Sequence, residues 1–196
     1  MVEIASPLGT AFKPGRHGKP DGAPGVIVCE RKPATIVQVA AFSGRETAVR
    51  EALVKAAGLK LNGKPGAGVV NGSRAGFGVA PGRWLIADDK EGLAGSFAKA
   101  IAHEDGAVTR LTHGRSVFRI EGPRAEWVLA KLFAVDFSPE AFPVGDAVST
   151  THHDVFAAIQ RVGENAFDLY VFRSFARSFF ETLVRAGEEV GCEVKA

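Results

Sequence analysis

Apolar runs and turn signals pass through the same order twice along this chain of 196 residues, and that duplication limits its fold more than any single motif. In the first half a short β-rich run, Val26-Ile27-Val28-Cys29, is followed by a turn around Lys32-Pro33 and a longer strand from Thr35 to Phe42. Ser43 and Glu46 have capping-box spacing, and Val49, Ala52, Leu53 and Ala56 repeat at helical intervals until Gly58. Residues 58–76, punctuated by Gly63, Gly66, Gly68, Gly72 and Gly76, read as loop. Phe77 to Val79 and Arg83 to Ala87 predict a hairpin around Pro81-Gly82, Leu93, Phe97, Ala100 and Ile101 a second helix, and Val108 to Leu111 a closing strand.

The second half repeats the series. Ser116 to Ile120 alternates as a strand, Pro123 stands at a helix start, and Trp127, Val128, Leu129 and Leu132 form an apolar helical face. A strand at Ala147 to Thr151 precedes two more at Val155 to Val162 and Phe167 to Phe172, which turn at Gly163-Glu164-Asn165. Phe172, Phe175, Phe179, Phe180 and Leu183 then line one side of a helix that carries Arg173, Arg177 and Glu181 opposite, and Val190 to Val194 is a last strand.

The fold expected is α+β: two tandem βαββαβ (ferredoxin-like) units with antiparallel sheets, offset by roughly 80 residues, at 26–112 and 113–196, together forming one compact domain. Residues 1–25 hold five Gly and four Pro, too many breakers for a helix or central strand, and predict an extended arm. Its composition favours an arm that hangs free. Ile4, Leu8 and Phe12 are the candidates to anchor it if it lies along a surface.

Hydrophobic residues at 46% and charged residues at 23% exclude a disordered or fibrous chain. A net charge of +2, spread evenly, gives no footprint for nucleic acid. No apolar run approaches the ~20 residues of a membrane span, and the N-terminus lacks a signal-like pattern, so the expectation is a soluble, cytoplasmic protein. Cys29 and Cys192 lie far apart without CxxC spacing, which argues for reduced thiols and against a structural zinc site.

Motifs that carry chemistry are sparse. Gly58 to Lys64 matches the start of a phosphate-binding loop, but Pro65 stands where a hydroxyl should hold magnesium, and the segment follows a helix instead of a strand. Gly66-Ala67-Gly68 opens a dinucleotide fingerprint whose third glycine is displaced. His152 and His153 are adjacent, and on a strand they would face opposite ways and could not share an ion. His113 and Arg115, at the junction of the halves, are candidates for an anion site or an interface, with a hydrogen-bonded turn as the simpler reading of His113. Arg173 and Arg177, four apart on one helix, are candidates to clamp a carboxylate, or are simply solvated. No paired carboxylates, nucleophile elbow or Cys-His arrangement emerges, so no catalytic, cofactor-binding or metal-binding residue is assigned.

The stretch Leu111-Thr112-His113-Gly114-Arg115-Ser116-Val117-Phe118-Arg119-Ile120-Glu121-Gly122-Pro123-Arg124-Ala125 resembles the hallmark segment of the gamma subunits of heterotetrameric sarcosine oxidase. Ala166 to Arg177 is similar to that family's C-terminal block, Pro81-Gly82-Arg83-Trp84-Leu85 to its central one, and Ser6-Pro7-Leu8 to its start. The family in turn resembles a fragment of the folate-binding aminomethyltransferases of the glycine cleavage system. The resemblance implies an accessory chain in a complex with alpha, beta and delta subunits. That complex oxidatively demethylates sarcosine to glycine, with hydrogen peroxide and either formaldehyde or 5,10-methylenetetrahydrofolate as products. It also implies no cofactor on this chain, with FAD, FMN, NAD and tetrahydrofolate held by the partner subunits. The Lys-Gly-Cys-Tyr-type motif of iron-sulfur-linked folate-binding relatives is missing here. The alternative function is a free-standing folate-binding or aminomethyltransferase-like protein.

Overall fold

Alternation of apolar side chains does most of the building, because both faces of nearly every strand are covered. The computed structural model describes residues 5–19 and 21–196. The first half contains β1 (Gly15–His17), β2 (Val26–Arg31), β3 (Thr35–Ala41), α1 (Glu46–Ala57), β4 (Gly68–Asn71), β5 (Arg74–Ala80), β6 (Arg83–Asp88), α2 (Leu93–Ala100) and β7 (Gly106–Arg110). The second contains β8 (Arg115–Glu121), α3 (Ala125–Leu132), β9 (Ala147–His152), β10 (Val155–Gly163), β11 (Ala166–Phe172), α4 (Ala176–Gly187) and β12 (Cys192–Lys195).

Two sheets result, one of five strands in the order β4-β5-β6-β3-β7 and one of seven in the order β1-β12-β2-β8-β11-β10-β9. All pairings are antiparallel except β12 with β2. The duplication is visible in the connectivity: β3-α1-β4-β5-β6-α2-β7 and β8-α3-β9-β10-β11-α4-β12 run through the same course. Their sheets differ by two strands, β1 added at the edge of the second and β2 inserted within it. In the second, β2 lies between β8 and β12, pairing Val28 with Ile120 on one side and with Val194 on the other. A division of the sequence at 112/113 therefore does not divide the sheets. The reason lies in β2 itself, which buries Val26 and Val28 in the core of the second sheet.

The sheets stack with helices outside, giving four layers. Val37, Val39, Trp84 and Ile86 point outward to Val49 and Leu53 of α1 and Phe97 of α2. Phe118, Ile120, Leu169 and Val171 point outward to Val128 and Leu129 of α3 and Phe179, Phe180 and Leu183 of α4. Removing each of these large side chains from water contributes roughly 1.5–3 kcal/mol. The alternate residues Ile36, Leu85, Ala87, Val117, Ala158 and Tyr170 face inward and join the sheets to one another.

Several expectations change. The arm does not hang free: Leu8 is fully buried in the core around α4, Phe12 packs on Phe180, and β1 pairs antiparallel with β12. Ile4, the other expected anchor, lies outside the described residues. The glycine-rich stretch after Gly58 contains a strand, β4, which pairs with β5 through Val69 and Gly76. Ser43 does not cap α1. Gly44 takes φ +79°, the helix starts at Glu46, and the Glu46 carboxylate accepts the Gly44 N–H instead. Phe172 and Phe175 are not on the buried face of α4, because the chain reaches Phe172 as strand and passes a short 3-10 turn at Arg173–Phe175 before the helix begins. Both rings stay over a third exposed, at 39% and 38%.

Candidate functional site

The space between the sheets is where polar chemistry collects. On β2, β8 and β11 the inward positions Arg31, Arg119 and Asp168 replace the expected apolar residues. Asp168 is 1% exposed. Its carboxylate accepts Arg119 Nε and Nη2 at 2.7 and 2.9 Å and Arg31 Nη1 at 3.2 Å. Arg31 also reaches across to the other sheet, donating from Nη2 to both oxygens of Asp89 at 2.5 and 2.7 Å. Burial works against the Arg119 charge, but the Asp168 hydrogen bonds and charge outweigh it and raise its pKa above the ordinary arginine value. Cys29, beside this cluster on β2, has its thiol pKa pushed up by burial, with Arg119 opposing, so it is a poor nucleophile.

A second inward polar group, Gln160 of β10, is fully buried and donates from Nε2 to Gly145 O at 2.9 Å. It sits where the backbones of the two sheets come together, next to the Ala147 N–H donating to Gly66 O at 2.7 Å. At the end of β6, buried Asp88 accepts Arg74 Nε and the Ser73 hydroxyl. Arg31 with Asp89 and the Gln160 amide nitrogen with Gly76 O cross the layer and tie the sheets together, while Asp88, Arg74 and Ser73 brace the five-stranded sheet itself and Gln160 Oε1 stays buried without a partner among the described residues.

Away from these polar groups the layer opens into a cleft of about 390 Å³, lined from both sheets by Gln38, Arg83, Arg115, Phe156, Tyr170 and Phe172 among others. Its floor is aromatic and aliphatic. Arg115 stacks its guanidinium 3.7 Å over the Phe172 ring, and Phe156 packs against the same ring. Burial lowers the pKa of Arg115, which among the described residues has no carboxylate partner. Among the described residues its only side-chain hydrogen bond is a long one to Gly114 O, at 3.4 Å.

The four residues singled out in the sequence do not form one constellation. His113 is exposed in the turn between β7 and β8, while Arg115, two residues on, enters the cleft. Arg173 turns to the arm and donates to Ala5 O at 2.6 Å, whereas Arg177 pairs with Glu181 one helical turn on. The histidine pair departs from strand geometry: His153 leaves β9 with φ +48°, which brings the two rings to 4.4 Å. Among the described residues no three His, Cys, Asp or Glu side chains gather as metal ligands, and no helix is long and apolar enough to cross a membrane. The sequence reading passed over Asp168, Arg31 and Arg119. Their signal was present, since Asp168 and Arg119 interrupt the apolar runs at 166–172 and 117–120.

Two stacked, largely antiparallel sheets with helices outside, one half repeating the other, define the fold class. Residues 87–195 match the family described as GCVT N-terminal domain. The glycine cleavage system aminomethyltransferase T of Bartonella henselae shares the fold at a TM-score of 0.61 and 18% identity, over 96% of this chain and 50% of that one. Within this class the chain belongs to the family of sarcosine oxidase gamma subunits. It is 36% identical over 144 residues to the sarcosine oxidase subunit gamma of Arthrobacter sp, covering 72% of this chain and 70% of the relative. It also matches a chain of the heterotetrameric sarcosine oxidase from Corynebacterium sp. U-96, solved in complex with pyrrole 2-carboxylate, with a TM-score of 0.80, 26% identity and 95% coverage of each chain.

Proposed function

We propose that this chain is the gamma subunit of a heterotetrameric sarcosine oxidase, an accessory chain that contributes binding surface while the chemistry takes place on its partners. The observation that carries this reading is the end-to-end structural match to a chain of such a heterotetramer, 95% of each chain at a TM-score of 0.80. The inner polar groups agree with it. Asp168, Arg31, Arg119 and Asp89 are spent on one another, and the Gln160 Nε2 on the carbonyls of Gly76 and Gly145, so they serve to join the sheets. The partners are the alpha, beta and delta subunits, with FAD and FMN on beta and alpha, and NAD and tetrahydrofolate also held away from this chain. The complex converts sarcosine to glycine in the cytoplasm, releasing hydrogen peroxide together with formaldehyde or methylenetetrahydrofolate.

The test is coexpression with the alpha, beta and delta chains, using a tag on this chain. Stoichiometric copurification of the flavoprotein subunits is expected, together with no saturable tetrahydrofolate binding by the isolated chain. A chain that stays alone beside its coexpressed partners, or that binds tetrahydrofolate by itself, overturns the reading.

A further inference from the structure

We propose that the mouth of the inter-sheet cleft is the docking site for an acidic segment of a partner subunit, its carboxylates pairing with Arg115 and Arg83 and an apolar side chain entering against Phe156, Tyr170 and Phe172. The inference rests on the subunit reading above and names the surface involved. Charge is the first argument. Arg31, Arg74, Arg119 and Arg161 are each matched to a carboxylate within this chain. Arg83 and Arg115 line one apolar cavity, with no Asp or Glu among its lining residues and no ion pair of their own among the described residues. Arg115 is half-buried and has lost water without gaining an anion, which is an unfavourable state that an incoming carboxylate would relieve.

The extent of the apolar surface is the second argument, and it points to a polypeptide in preference to a small molecule. Phe172, at the cleft mouth, is 39% exposed, and Phe175, three residues on and outside the cavity, is 38% exposed. Four large hydrophobic side chains are markedly exposed among the described residues, and two of them are Phe172 at the end of β11 and Phe175 in the turn that follows it. A small ligand inside the cleft would leave Phe175 in water, whereas a partner segment crossing the mouth covers both rings. Aromatic and arginine side chains gathered at one spot are also the composition of interface anchors.

The test compares the wild-type chain with an Arg83→Glu/Arg115→Glu double variant, each coexpressed with the alpha, beta and delta subunits. Lys99→Glu on the exposed side of α2 serves as the control. The double variant is expected to recover at least tenfold less partner than wild type while retaining its circular dichroism spectrum, and the control to recover a normal amount. A second measurement needs no variant. Hydrogen exchange on the wild-type complex should show new protection at the Pro81-Gly82 turn and at residues 172–176. Normal assembly of the double variant, or protection confined to other surfaces, overturns the docking site and leaves the subunit reading standing. Failure of the wild-type chain to assemble overturns both.

Discussion

Gly68 of β4 and Gly145, just before β9, meet across the two sheets so closely that a Cβ on Gly68 would stand 2.3 Å from the Gly145 carbonyl oxygen. The same added atom would lie 2.8 Å from Gly76 O, so backbone blocks it on two sides. Gly68→Ala should therefore destabilise the chain by about 1–3 kcal/mol in urea unfolding, as an overpacked site that cannot relax by turning a side chain. Gly63→Ala is the contrast. Its nearest neighbour is Arg50 Cδ at 3.9 Å, and it should leave the midpoint essentially unchanged.

The Arg119 and Asp168 pair should behave as a buried ion pair. Arg119→Met leaves Asp168, its side chain 2% exposed, with Arg31 alone. A loss of about 3 kcal/mol is expected, the lower end for a broken buried pair because one cation remains. The double variant Arg119→Met/Asp168→Leu should lose less than the sum of the two single changes. Additive losses in a double-mutant cycle would show the pair to be uncoupled.

Acid sensitivity should trace in part to Asp88. Burial alone would raise its pKa, but the Arg74 side chain, the Lys90 N–H and the Ser73 hydroxyl outweigh it and hold the carboxyl below its ordinary value. A folded pKa below the unfolded one contributes stability that is fully present above the unfolded value, about 3.9, and is lost as pH falls towards the folded one. The stability gap between wild type and Asp88→Asn should thus be constant near neutrality and narrow below about pH 4. A gap that stays the same down to pH 3 would remove Asp88 as the cause.

Leu8 makes the arm part of the fold. Fully buried against the core around Phe180, it should cost about 2–5 kcal/mol when replaced by Ala, as other large core truncations do. Deleting residues 1–19 removes this anchor together with β1, and should lower the melting temperature of the isolated chain and speed its proteolysis. An unchanged melting temperature would restore the picture of a dispensable arm.

Much of the architecture could be read from the sequence, because alternation and helical spacing are local signals. Thr35 and Arg115 open strands in corresponding places, and Leu93 and Phe97 mark their helix without help from tertiary contacts. What stayed hidden depends on contacts between distant segments. β4 looked like loop because Gly68 is required by its approach to Gly145, far along the chain. The arm looked free because Leu8 finds its partners only once α4 has formed. The place of β2 between β8 and β12 is set by long-range pairing, which no local pattern encodes. In the same way Arg115 was visible at the junction, but its partners Phe156 and Phe172 and the cleft they form appear only when the two sheets stack.

The central claim is that this chain works as an accessory subunit of a larger oxidase, and native mass measurement of the coexpressed assembly tests it most directly. The account predicts a single species containing one copy of this chain together with the alpha, beta and delta subunits. A flavoprotein assembly of alpha, beta and delta alone, with this chain recovered separately at its own mass, would contradict it.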